Sequence, residues 1–272
     1  MNFFKTISLI TIASLILFSC KKDDENNVPP IEETSEFGSI KIMVDSRMKS
    51  KSEDMADILL DSAYITGNGD KVRFSKFKYF ISNLKLINAS GDTLAIPESY
   101  HLIQASNNEH TTKINLDSVP VDMYEGIIYT LGLDAKANLD ETIIEGDLDP
   151  NTDMSWNWQV GYKFINIEGT YSGDTKGNII YHLGKTENAK THYLDFPKSL
   201  MVGNTASSSK IHMVSNFNKL FNNVYNIDVE AVNNVKVGPD DQLNKFVQNY
   251  KDGLFMIHHI ENGESSDMNH SH

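Results

Sequence analysis

The sequence predicts an all-β fold, an antiparallel β-sandwich with a few short helices. Two observations carry this. Apolar residues alternate over many short segments, as they do in half-buried strands. Frequent Gly-, Asn- and Asp-containing turns separate those segments, and no internal repeat is visible.

Taken in order, Ser39 to Asp45 alternates Ile40, Ile42 and Val44 and forms the first strand. Residues 46–57 are polar. Ile58-Leu59-Leu60 fits either the close of a short helix with Met55 or the start of a strand. Gly67-Asn68-Gly69-Asp70 is a turn. Val72 to Ile87 is apolar but changes phase: Val72 and Phe74 fit one register, Phe77, Tyr79 and Ile81 another, Leu84 and Leu86 a third. Each change implies a bulge or one helical turn. Ala89-Ser90-Gly91-Asp92 is a tight turn. Strands follow at Tyr100–Gln104 (with His101), Lys113–Leu116 and Ile127–Leu133. Further on lie Asn178–Leu183 (with His182) and Thr191–Phe196 (with His192). Phe217, Leu220 and Phe221 have helical spacing, with Ser215 as N-cap. Val224 to Ala231 alternates again. Asp240 or Asp241 caps a last helix with apolar face Leu243, Phe246, Val247 and Tyr250, ending at Gly253. The domain spans 37–260, and 261–272 is a flexible tail.

The functional centre is read at Gly146 to Gly169, which holds both tryptophans. Trp156, Trp158, Val160, Tyr162 and Phe164 share one parity, so in one extended strand they share one face. The pair serves a metal site, a stacking platform for a glycan or protein, or the core. Just before it, Asp147, Asp149, Asn151 and Asp153 alternate as in a calcium loop, with Thr152 where such a loop has Gly and Trp158 where it has Glu. The other reading is an acidic turn whose side chains bond their own backbone. Met256, His258, His259 and then Met268, His270 and His272 mix thioether and imidazole, a combination that suits copper. They also fit a strand with two exposed His followed by a solvated tail.

The chain has 272 residues and a net charge of −13, which argues against nucleic acid and against electrostatic docking to anionic lipid. Residues 1–19 form a leader with one charge, Lys5, before the apolar run Ile7–Phe18. It ends in Leu17-Phe18-Ser19-Cys20, which resembles the lipobox of bacterial lipoproteins, in which the Cys is acylated. Cys20 is the only Cys, so no intramolecular disulfide can form. Residues 20–36 are then the acylated Cys and a flexible linker. Within them Lys21-Lys22-Asp23-Asp24-Glu25 resembles the signal that sends Bacteroidetes-type lipoproteins to the outer face of the outer membrane. No catalytic motif is present, so a binding protein rather than an enzyme is expected.

Three segments resemble the MbnP-like family. They are Gly69 to Leu84, Tyr124-Glu125-Gly126 through Leu131-Gly132-Leu133-Asp134, and a third spanning Leu148-Asp149-Pro150, Met154-Ser155-Trp156-Asn157-Trp158, Gly161-Tyr162-Lys163-Phe164, Glu168-Gly169 and Tyr181-His182-Leu183-Gly184. The resemblance covers roughly residues 37–235. It implies a secreted β-sandwich that binds copper, associated with methanobactin systems. It also implies a di-haem peroxidase partner that converts a Trp to kynurenine, whose amine joins histidines on the metal. Trp156 or Trp158 would supply the first ligand, His101 and His182 the others. Where many relatives carry a His near the end of the first strand, this chain has Val44-Asp45-Ser46-Arg47. The expected function is a copper-binding envelope lipoprotein for acquisition or buffering; the alternative is a surface glycan- or protein-binding module.

Overall fold

A computed structural model describes residues 36–139, 145–157, 161–204, 207–236 and 241–263. Cys20, Trp158, Met268, His270 and His272 lie outside the described residues, as do the leader and residues 20–35. In chain order the strands are β1 (Phe37–Lys49), β2 (Met55–Asp57), β3 (Ala63–Ile65), β4 (Lys71–Asn88), β5 (Thr93–Ala95), β6 (Tyr100–Gln104), β7 (Thr111–Pro120) and β8 (Asp122–Leu131). They continue with β9 (Ser155–Asn157), β10 (Gly161–Ser172), β11 (Lys176–Gly184), β12 (Lys190–Val202), β13 (Ser209–Asn216), β14 (Asn234–Val235) and β15 (Phe255–Glu261). The helices are α1 (Ala135–Leu139), α2 (Asn218–Phe221) and α3 (Asp241–Tyr250). No described helix is long and apolar enough to cross a membrane.

The strands form two sheets, as a β-sandwich requires. The smaller runs β15-β13-β1-β2, with β7 also paired to β1. The larger runs β12-β8-β4-β10-β11-β14, with β3, β5 and β6 on β4 and β9 on β10. Most ladders are antiparallel, but β1–β13 and β11–β14 run parallel. Both parallel pairs join segments remote in sequence, so no tight turn dictates their direction.

The main core lies between the sheets. Ile40, Ile42 and Val44 of β1 and Ile211 and Met213 of β13 meet Phe74, Tyr79, Ile81, Ile127, Ile165 and Ile167 of the larger sheet. A hydrogen bond of 2.8 Å between Ser46 Oγ and Tyr79 OH crosses the sandwich. Phe217 is wedged at this crossing, its ring 4.7 Å from that of Phe77 and 5.0 Å from that of Tyr79. The three registers of Val72–Ile87 are present as one 18-residue strand, β4, with bulges rather than helical turns. Its pairing slips near Ser75 and again between Ser82 and Lys85, where Asn83 takes a φ of 52°, a left-handed conformation that Asn tolerates.

A smaller core of Phe80, Leu133, Ala137, Leu148, Met154, Tyr162 and Phe164 forms elsewhere. Phe80 follows Tyr79 directly, so it faces the other side of the larger sheet. Here α1 and the acidic segment pack. Asp134 caps α1 by accepting from Ala137 N–H.

Three sequence expectations change. The stretch from Trp156 to Phe164 is not one strand: β9 pairs antiparallel with β10, Asn157 opposite Gly161 and Ser155 opposite Tyr162, so parity does not carry across. Ser215 is in β13, where its Oγ donates to Asp45 O; the turn into α2 is instead bonded by Asn216 Oδ1, which accepts from Asn218 N–H. Val224–Ala231 forms no strand. Asp228 Oδ1 accepts from the N–H groups of Glu230 and Ala231, a local bond that competes with a ladder. The apolar face assigned to α3 is buried as expected.

Replacing Phe217 by Ala should cost about 3–5 kcal/mol, the usual penalty for emptying a fully buried aromatic site. Urea unfolding checks this as a fall in midpoint, and a loss under about 1 kcal/mol would show that the crossing packs loosely.

Candidate metal centre

The centre is assembled on β10. Gly161 begins that strand with a φ of 83°, and a Cβ there would lie 2.4 Å from both Asn138 O and Asn138 Oδ1. Only glycine fits this approach. Asn138 Oδ1 in turn accepts from Tyr162 N–H at 2.8 Å, fixing the start of the strand.

Beyond it, β10 carries Lys163, Asn166 and Glu168. Lys163 is buried, and its ammonium reaches Asp153 O at 2.9 Å and Asp153 Oδ1 at 3.4 Å. Asn166 Nδ2 donates to the same Asp153 carbonyl at 3.0 Å. Lys76 of β4 bridges the Asp153 and Glu168 carboxylates. Glu168 Oε1 lies 2.9 Å from His182 Nε2. A continuous run of charge and hydrogen bonds thus links the acidic segment to His182.

Trp156, on β9, reaches His182 from the side. The ring centroids are 6.4 Å apart and the planes meet at 62°. The indole is half-buried, and a Cβ at Gly184 would lie 2.7 Å from its Cζ3, so Gly184 makes room for it.

Burial holds the His182 imidazole below its ordinary pKa, against the opposing pull of Glu168. For Glu168 burial acts upward, but Lys76 and His182 together bring the carboxyl below its ordinary value. At neutral pH His182 is therefore neutral, with Nε2–H donated to a carboxylate. That assigns the proton and leaves Nδ1 as the nitrogen able to take a metal.

The structure brings Trp156 and His182 together. His101 sits on a different ladder, opposite Ile81 of β4, with its Nε2 3.0 Å from Ser99 Oγ. Burial lowers its pKa, with Asp147 opposing. Among the described residues, the carboxylates considered for calcium, Asp147, Asp149 and Asp153, do not form a converging group. Asp147 accepts from Leu102 N–H at 2.8 Å, Asp149 from Asn151 N–H at 2.7 Å, and Asp153 is shared by Lys76 and Lys163. Each of these three carboxylates is engaged by at least one of the protein's own donors, as in an acidic turn.

Among the described residues, the imidazole and carboxylate groups that converge as a metal would need are His212, His258 and His259. They belong to the smaller sheet. His212 carried no signal of its own, because Ser209–Asn216 is short and its second half blends into the helical spacing of Phe217–Phe221.

A family model described as MbnP matches residues 38–237. The chain belongs to the MbnP family. Among solved structures it is similar to "MbnP from Methylosinus trichosporium", with 12% identity, a TM-score of 0.47, and coverage of 74% of this chain and 82% of that one. No curated protein matches. The MbnP match takes in β9, β10 and β11, hence Trp156, Glu168 and His182, and stops short of β15. The family is linked to copper.

Stability of this MbnP protein should fall with acid through the histidine range. His101, His182 and His192 all have folded pKa values depressed mainly by burial. As pH falls below about 6.5 the unfolded chain takes up these protons first, so acid favours unfolding. His182→Gln removes one such proton, and its melting temperature should drop less than that of the wild type between about pH 7 and pH 5. An equal drop would show that His182 is not held neutral by the fold.

Proposed function

We propose that this chain is a copper-binding lipoprotein of the cell envelope, anchored by acylated Cys20 at the outer membrane surface, serving copper acquisition or buffering rather than catalysis. The observation that carries it is the indole of Trp156 set against a neutral, carboxylate-backed His182 in a chain of the MbnP family.

The donors fit copper. Imidazole nitrogen suits both of its oxidation states, and Glu168 behind His182 is the outer support that metal-bound histidines ordinarily have. When a di-haem peroxidase partner supplies a four-electron oxidant that cleaves the indole C2–C3 bond and inserts two oxygens, and water then hydrolyses the N-formyl group so that the lost carbon leaves as formate, the residue would become kynurenine, which bears an aromatic amine. His182 Nδ1 and that amine would hold the ion, with Trp158 the alternative source of the amine; His101, on β6 across β4, would stand apart from it. Lys76 fixes Glu168, and Glu168 fixes the His182 proton on Nε2. Gly184 keeps the indole seated beside the ring.

The alternative, a glycan- or protein-binding platform, needs a broad open indole face. Trp156 is half-buried and pressed between Gly184 and His182, which favours the metal.

Intact mass of the protein from its native host tests the reading. A Trp-to-kynurenine change loses one carbon and gains one oxygen, and it should map to the peptide with Trp156 and Trp158. His182→Ala should weaken Cu(I) binding at this centre about tenfold or more, and Cys20→Ala should release the protein from membranes. Unmodified tryptophans together with unchanged Cu(I) affinity in His182→Ala would overturn the copper reading here.

A further inference from the structure

We infer a second metal site, independent of the first: a three-histidine centre on the outer face of the smaller sheet, formed by His212, His258 and His259 and suited to Cu²⁺ or Zn²⁺. Its ligands come from β13 and β15, and β15 lies beyond the residues that match the family.

A bulge creates it. Neighbouring residues in a regular strand point to opposite faces. In the β13–β15 ladder His212 pairs with His259 and Met213 with Ile257, which leaves His258 as an extra residue. Phe255 and Ile260 are buried whereas Met256 and His258 are exposed, so the strand alternates normally until the His pair. The extra residue sends His258 and His259 to the same side, over His212. Bulges are a recurrent way to re-aim a side chain at a site, and β15 is an edge strand where one is tolerated.

The nitrogens already stand at ligand spacing. His212 Nδ1 and His259 Nδ1 are 3.4 Å apart, and His258 Nδ1 and His259 Nδ1 are 2.8 Å apart. One ligand atom from each ring lies within 4.8 Å of the others. Two nitrogens bound to one tetrahedral ion at about 2.0–2.1 Å sit about 3.3 Å apart. Small ring rotations close the difference.

The remaining nitrogens are held from behind. His212 Nε2 lies 2.7 Å from Asp45 Oδ2, and His259 Nε2 lies 3.4 Å from Glu261 Oε1. Each carboxylate accepts from Nε2–H, which leaves Nδ1 for the ion. Asp45 is itself buried and fixed, accepting from Thr111 Oγ1 at 2.6 Å and Arg47 Nη2 at 3.0 Å. Three imidazoles without thiolate select the copper–zinc end of the divalent series. With His258 exposed, the fourth position opens to solvent and to exchange.

The test is titration of the metal-free full chain with Cu²⁺ and, separately, Zn²⁺. Electron paramagnetic resonance of the first Cu²⁺ equivalent should show coupling to three nitrogens, and Zn²⁺ should raise the melting temperature. His258→Ala/His259→Ala should lose the three-nitrogen spectrum and weaken binding by at least about tenfold, and Asp45→Asn should weaken it while keeping three nitrogens. His182→Ala and His270→Ala/His272→Ala should leave the signal intact, which separates this centre from the first and from the tail. The two outward side chains on an edge strand should be removable without lowering the metal-free melting temperature. If they are not, His258→Ala alone replaces the pair. An unchanged spectrum and affinity on removing these histidines overturns the site.

Discussion

The buried ammonium of Lys163 is the constraint on which the Trp156 centre depends. Taking it out of water is costly unless the charge is met, and removing a partner from such a pair leaves an uncompensated charge. Asp153 meets it twice, through carbonyl and carboxylate. Meeting it fixes the acidic segment against the larger sheet, which in turn places Met154 in the smaller core and β9 beside β10. Asp153 itself adopts a φ of 63°, a conformation that Asp accepts at modest cost. The side chain of Asp153 is half exposed, so water screens its share of the attraction, and the carbonyl with its second donor, Asn166, carries the more protected part.

From that anchor the geometry of His182 follows. Lys76 ties Asp153 to Glu168, and Glu168 ties to His182, so the imidazole inherits its orientation from the acidic segment three contacts away. Burial keeps the ring neutral and the carboxylate keeps its proton on Nε2. Of the acidic residues that suggest a cation loop, Asp147 and Asp153 pin the loop to the sheet.

Much of this was legible in the sequence and some was not, for identifiable reasons. The three registers of Val72–Ile87 predicted bulges because buried residues in a strand must keep to one face, and β4 has them. The Trp156–His182 neighbourhood was reachable because β10 and β11 are adjacent in the chain and pair directly. The reversal between β9 and β10 escaped because parity counting assumes an unbroken strand, although Gly161 marks the break. The convergence of His212 with His258 and His259 escaped because it joins segments distant in sequence. One local trace existed: the apolar residues Phe255, Ile257 and Ile260 depart from period two at the histidine pair, which is the signature of the bulge.

The two centres differ in how their donors are held, and the difference bears on exchange. At His182 the imidazole is embedded in a charge network under a half-buried indole, so an ion there would be enclosed by groups that already restrain one another. At His212, His258 and His259 the support comes from two carboxylates, one buried and one exposed, on the outer face of an edge strand. Asp45 supplies rigidity to one ligand only, while His258 is exposed to solvent. At the proposed edge site an ion could therefore be approached and released without opening the core, whereas at the proposed Trp156 site its departure would have to disturb β9 or the Glu168 network. Rigid retention and ready exchange are opposite demands on a ligand set, and under the two proposals above this fold would meet them on separate sheets.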